Sequence, residues 1–220
     1  YPRIAAIVLG TEWLVGATTI PTLDAARAFG RLREIRLGAV FDEQDLGGAA
    51  HLTDLKGLTD VIAPALTRRN GAYVWRQGED ARATVHALDG TPMDAFGLSI
   101  NDVVALAAAT DAPNVEFNLA LGVSSSRRRG QAMSTEIIIE LAGDDHDGKP
   151  LRTRRAVVHP EGQFPMTGLG VAMVLERLVG LDGKPAAEPG LYFPYQLLVP
   201  ATYFRRLEAI GGKVVDLAVP

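Results

Sequence analysis

The run TEIIIELAGDDHDGKPLRTRRAVVHPEGQFPMTGLGVAMVLERLV, Thr135 to Val179, decides how this chain folds. It opens with TEIIIELAG, a β-branched segment that reads as a strand. LRTRRAVVHP, Leu151 to Pro160, reads as the next strand, and Asp147-Gly148 between them is a hairpin-turn pair. Ile137, Ile138 and Ile139 are apolar at every position rather than at alternate ones, which predicts a strand covered on both faces.

A helix is expected next, from about Gly168 to Val179, with Thr167 as its N-cap and Val171, Val174, Leu175 and Leu178 packed on the sheet. Gly168-Leu169-Gly170 after a strand raises the alternative of a dinucleotide cradle. That fingerprint needs a third glycine and a second strand bearing a ribose-binding acid. Met173 stands where the third glycine would be, and the helix leads into GLDGKPAAEPG rather than a strand. The glycines are therefore read as a close helix approach, not as a phosphate site.

Outward from this run the pattern is mixed. Toward the N-terminus, IAAIVLG (4–10) is a strand or a short buried helix, GATTIPTL (16–23) a loop, and PTLDAARAFGRL (21–32) a helix with Pro21 at its first position. REIRLGAVF (33–41) alternates, with Ile35, Leu37, Ala39 and Phe41 on one face of a strand. DEQDLGGAAHL (42–52) reads as a loop. TDLKGLTDVIAPALTRRNG (53–71) reads as a helix capped by Thr53 or Asp54 and stopped by Asn70-Gly71. AYVWRQG and ARATVHAL form a strand pair joined near Gly78 to Asp80. SINDVVALAAATDAP is a helix with Ser99 as N-cap and Asp102 completing a capping box. VEFNLALGV (115–123) is a strand. PATYFRRLEAIGG is a final amphipathic helix and KVVDLAV a last strand. Several antiparallel neighbours among helices point to α+β: one domain over 1–220, a mixed, largely antiparallel sheet with helices covering one face.

Composition narrows the function. With 220 residues, 47% hydrophobic and 22% charged, the chain can build a full core. A net charge of −4 gives no footprint for nucleic acid. The absence of cysteine excludes disulfides, cysteine nucleophiles and thiolate zinc sites. No apolar run is long enough to span a bilayer as a helix, and the expected location is the cytoplasm.

Ser134 to Pro194 resembles the saccharopine dehydrogenase/reductase-like family, in particular its second domain. The order carries the likeness: a strand, a G-x-D-x-x-G-K-P-like hairpin (here GDDHDGKP), a basic strand, a T-G helix and a proline- and glycine-rich exit. GATTIPTL is also similar to the loop leaving the family's nucleotide domain. The resemblance implies an NAD(P)-dependent oxidoreductase whose Rossmann domain binds the cofactor while a second domain handles substrate and dimerisation. No glycine fingerprint precedes YPRIAAIVLG, so the sequence is expected to be the second domain alone, with its Rossmann partner upstream or natively missing. On that reading NAD(P) binds the full-length protein and not this portion, which is not active alone. A homodimer through the open sheet face is expected, and the substrate is a small molecule. The alternative class is a stand-alone, non-catalytic ligand-binding or scaffolding module.

Candidate site residues come from two loops. SSSRRRGQ (124–131) places Arg127 and Arg128 among hydroxyls, able to hold a carboxylate or phosphate, although a solvated hairpin loop is the plainer reading. GATTIPTL offers Thr18 and Thr19 near a helix start, where a capping loop is the plainer reading. These four are the expected substrate contacts. His51, His86, His146 and His159 show no metal-ligand spacing. The aspartates around His146 read as a turn. His86 is either an acid–base group in a cleft or an ordinary strand histidine. Asp42 and Glu43 are either a carboxylate pair or loop solvation. No catalytic residue and no metal ligand is assigned.

Overall fold

A computed structural model describes residues 5–45 and 64–219. A nine-stranded mixed sheet dominates it, in the order β11–β9–β8–β2–β7–β3–β4. The strands are β2 (Phe29–Asp42), β3 (Ala65–Arg69), β4 (Ala72–Arg76), β7 (Asn114–Gly122), β8 (Thr135–Asp145), β9 (Pro150–His159) and β11 (Lys213–Leu217). β5 (Arg82–His86) and β6 (Pro92–Gly97) form a hairpin attached through β6 to β7. Only the β2–β7 pair runs parallel within this sheet. β1 (Ala6–Val8) and β10 (Gly190–Tyr192) make a separate parallel pair.

The expected fold class is the one found. Alternation in β2 puts Ile35, Leu37, Ala39 and Phe41 into the main core with Phe117 and Leu119 of β7 and Ile137 and Ile139 of β8. Over that face lie α1 (Thr19–Ala26), α2 (Asn101–Thr110), α4 (Phe164–Leu178) and α6 (Pro200–Ala209), which contribute Ile20, Leu106, Met173 and Tyr203 among others. Among the described residues there are also two four-residue helices, α3 (Ser125–Arg128) and α5 (Pro194–Leu197), and a 3-10 turn at Gly78–Ala81. The opposite face carries a smaller cluster of Val40, Ala120, Ile138, Ala156 and Val158. Val85, Ala87 and Ala95 of the β5–β6 hairpin cover it. The two-sided burial read from Ile137–Ile139 is thus satisfied at Ile138 within the chain itself.

Several local expectations change. Ala65–Arg69 is a strand, not the end of a helix, because Asn70 and Gly71 have φ of 49° and 82°. Two consecutive positive φ values make the two-residue hairpin turn that Asn-Gly favours, and β3 pairs with β4 across it. The helix expected upstream, with its Thr53 or Asp54 cap, lies outside the described residues. β4 and β5 are both strands but do not pair, since β4 takes β3 and β5 takes β6. The helix placed from Pro21 begins at Thr19, so its loop is shorter, and Phe29–Leu32 belongs to β2. α2 starts after Ile100, so Ser99 is not its N-cap. At the β8–β9 turn Gly148 has φ 79°, and Asp145 Oδ1 accepts from the Asp147 and Lys149 amides. That confirms a turn where aspartates surround His146.

Helix α4 begins at Phe164, four residues earlier than expected, with Gln163 as N-cap. Thr167 lies inside the helix, where its Oγ1 accepts from the Leu14 amide. Leu175 is exposed, while Met166, Leu169, Gly170, Met173 and Val174 are buried. The two glycines separate in role. A Cβ on Gly170 would lie 1.9 Å from the Val15 carbonyl oxygen, whereas one on Gly168 would meet nothing within 4 Å. The close approach is therefore between α4 and the Leu14–Gly16 segment. Gly168→Ala is expected to stabilise the fold by about 0.5–1 kcal/mol through helix propensity. Gly170→Ala should destabilise it by more than that, through overpacking on the order of 1–3 kcal/mol. Chemical denaturation of both variants checks the pair; equal effects at the two positions would contradict this assignment.

Candidate binding cleft on the open sheet face

The C-terminal ends of the parallel strands are where open α/β sheets place ligands, so the Asp42 and Ser124–Arg128 loops come first. Here the protein's own groups fill that position. Asp42 is buried and accepts from the Ser124 amide at 2.8 Å, the Ser124 hydroxyl at 2.6 Å, the Gln44 amide at 2.9 Å and Arg127 Nη1 at 2.8 Å. Burial alone would raise its pKa. The bonds from Ser124, Gln44 and Arg127 outweigh that and hold it below the usual carboxylate range. It is neither loop solvation nor a free carboxylate pair. Beside it, buried Glu136 accepts from the Ser125 amide and hydroxyl and from the Leu88 amide. Asp45 accepts from Thr135 Oγ1 and the Gln163 amide.

The four expected substrate contacts are placed as follows. Arg127 pairs with Asp42 and Glu43. Arg128 pairs with Asp89 at 2.8 Å through both Nε and Nη2, which holds the Asp89 carboxyl well below its ordinary range. Thr18 and Thr19 are 0% and 1% exposed, so neither offers surface to a ligand in this form. Thr18 Oγ1 donates to buried Asp102, and Thr19 Oγ1 has no partner among the described residues. The arginines and the threonines share no hydrogen-bond partner, so the structure does not assemble them into one site.

Asp102 does not cap α2; it stands at the second helical position with its carboxyl in the interior. Burial pushes its pKa up to about 7, with the Thr18 hydroxyl opposing and the Glu12 charge adding. The folded form therefore holds a proton that the unfolded chain releases at a lower pH. Stability is full below about pH 4 and falls as pH rises toward 7, by up to about 4 kcal/mol at this site. Asp102→Asn should remove that slope, leaving the variant more stable than the parent at pH 8 and nearly equal at pH 4, as read by urea denaturation at both values.

An accessible concavity lies on the face away from the helices, beside the β5–β6 hairpin, with a volume of about 570 Å³. Its position follows from small residues. Gly38 on β2 has no Cβ, and one built there would come within 2.6 Å of Val85 Cγ1, so the hairpin rests on the bare β2 backbone. Beyond the hairpin the same face turns charged. Arg36 stands opposite Glu116 of β7 and Glu140 of β8, and Glu140 stands opposite Arg154 of β9. The result is a row of alternating charge across four neighbouring strands, spaced at about 4.8 Å.

Ion pairs tie the row together. Arg36 reaches Glu34 at 2.8 Å and Glu116 at 3.4 Å, and Arg154 reaches Glu140 at 3.0 Å. Buried Arg76 extends the row, 3.7 Å from Glu116, and donates to Thr67 Oγ1, Phe117 O and Asn118 Oδ1. Burial lowers its pKa, with Glu116 pulling the other way. Arg154 also donates to the His86 and Ala87 carbonyls, which fastens β5 to β9. His86 lines the cleft, is exposed, and its ring makes no hydrogen bond among the described residues. His159 is buried against the Ile210 carbonyl, His146 bonds the Arg27 carbonyl, and His51 lies outside the described residues. Sequence reasoning missed the charged row, although Glu116, Arg36, Glu140 and Arg154 each fall on the polar phase of their strands. Pattern gives the phase; only the pairing of distant strands brings the four together.

The Gly168–Gly170 pair does not form a dinucleotide cradle. Gly170 is occupied by the Val15 carbonyl and Met173 is in the core, so the glycine pair has no room for a pyrophosphate. No group of three or more His, Asp or Glu side chains is arranged for a metal ion among the described residues, and no described helix is long and apolar enough to cross a membrane.

Helices packed on one face of this mixed sheet give the chain a saccharopine dehydrogenase-like fold. Among solved structures, the chain is similar to apo histidine-tagged saccharopine dehydrogenase (L-Glu forming) from Saccharomyces cerevisiae, with a TM-score of 0.53 and 12% identity, over 95% of this chain and 72% of that one. At that identity the likeness concerns the fold. No protein-family profile matches the chain, and no curated protein sequence matches it.

Proposed function

We propose that this chain is the substrate-binding and dimerisation domain of a saccharopine dehydrogenase-like, NAD(P)-dependent oxidoreductase of the cytoplasm. The fold likeness over 95% of the chain carries the reading. It is supported by a cleft of about 570 Å³ large enough for a small-molecule substrate. The nicotinamide cofactor would be held by a Rossmann unit that the described residues do not contain. That division fits the way α4 spends its glycines on packing rather than on phosphate. The dimer would use the open sheet face outside the cleft.

Fluorescence titration with NADPH and NADH tests the division of labour. This chain alone should bind neither nucleotide, whereas the same chain joined to its Rossmann unit should bind at least one. Micromolar binding by the chain alone would overturn it. Sedimentation tests the dimer: concentration-dependent dimerisation supports it, and a monomer at every concentration removes it.

A further inference from the structure

The charges around the cleft cancel one another with one exception. Arg36 is shared by Glu34 and Glu116, Arg69 pairs with Asp80, Arg76 with Glu116, Arg82 with Glu79 and Arg154 with Glu140. The side chain of Arg152, which also lines the cleft, has no ion pair and no hydrogen bond among the described residues. The register explains why. Arg152 stands opposite Ala142, and Ala142 stands opposite Glu34. In the neighbouring row the corresponding β8 position is Glu140, which neutralises Arg154. At Ala142 the acid is missing. A methyl group occupies the position, leaving both an unmatched guanidinium and the volume of a carboxylate side chain.

We propose that Arg152 and the space over Ala142 form the anchor of the cleft, and that it takes a ligand carrying a single carboxylate. The guanidinium fork matches a carboxylate with two parallel hydrogen bonds, a geometry an ammonium does not offer. The ligand's carboxylate takes the place that a β8 acid holds one row away. Glu34 and Glu140 are already engaged by Arg36 and Arg154, so no lining carboxylate is left over for a ligand ammonium. The site thus selects a monoanion whose remainder is uncharged, in preference to a zwitterion. The remainder would lie along Gly38, Thr84 and Val85 at the hairpin wall. This deepens the reading of the cleft as the substrate cavity and rests on that reading.

The probe is butyrate, compared with butyramide and 4-aminobutyrate, on the chain as it exists. Arginine side-chain N–H resonances and thermal shift are the readouts. Butyrate should perturb a single arginine resonance and raise the melting temperature with concentration. Butyramide should do neither, and 4-aminobutyrate should bind more weakly than butyrate. Arg152→Gln should weaken butyrate binding by about tenfold or more, the loss of one charge-assisted pair. Arg205→Gln, at an exposed arginine outside the cleft, should leave it unchanged. Failure of butyrate to bind, equal binding by butyramide, tighter binding of 4-aminobutyrate or an unaffected Arg152→Gln variant would each overturn the proposal. None of these results bears on nucleotide binding or on oligomeric state, so the broader functional reading stands or falls separately.

Discussion

The contact between Val85 and the bare backbone of Gly38 organises the open face of the sheet. A strand position without a side chain weakens a strand in isolation, because it packs nothing and costs entropy. Here the lost packing is returned from outside. The β5–β6 hairpin lies down on β2 at that point and brings Val85, Ala87 and Ala95 over Val40, Ala120, Ile138 and Ala156. One half of the face becomes a second small core and the other half remains open to solvent. The cleft exists because that boundary runs across the sheet rather than along its edge. Arg154 marks the boundary, with its guanidinium bonded on one side to the hairpin carbonyls and on the other to Glu140.

The two halves obey different electrostatics. At the ends of β2 and β7, Asp42, Glu136 and Asp45 are inside the protein, and each is surrounded by amide and hydroxyl donors. A buried carboxylate stripped of such donors would be costly, and the donors here are Ser124 and Ser125 after β7 and Thr135 at the start of β8. In the open half, Arg36 is more than half exposed, and pairs like those around it contribute little to stability. Their effect is geometric: they hold side chains upright over the sheet and set which charges remain for a visitor. A substitution in the first network endangers the fold, whereas one in the second alters what the face can bind.

Much of this was legible in the sequence. The alternation of Ile35, Leu37, Ala39 and Phe41, the doubly apolar Ile137–Ile139 and the β8–β9 hairpin give the sheet its central strands. The helices packed on one face follow from the amphipathic runs. Asn70-Gly71 was ambiguous because the same pair ends a helix or turns a hairpin, and only the β3–β4 pairing decides. Thr18 and Thr19 beside Gly16 look like an exposed anion loop, yet the segment is drawn into the core beneath α4 through Gly170. Arg127 and Arg128 advertise charge in the sequence, but their acids, Asp42 and Asp89, come from far along the chain. Short-range pattern reports which residues are polar. It does not report which polar residues have already found each other.

The position of β2 has a consequence for the order in which the protein can form. It is a central strand of the sheet, but both of its neighbours lie far along the chain from it: β7 pairs through Asn114–Gly122 and β8 through Asp145 back to Glu136. A chain leaving the ribosome therefore holds its longest strand with two open edges until β7 and β8 have been made. Its contact order is high, and closure of those long loops comes before the sheet rewards it. The hairpins β3–β4 and β5–β6 and helix α2 are the local structures available in the interval. They fold on the way to a sheet whose middle waits for β7 and β8, which makes the unpaired β2 the segment most in need of protection during synthesis.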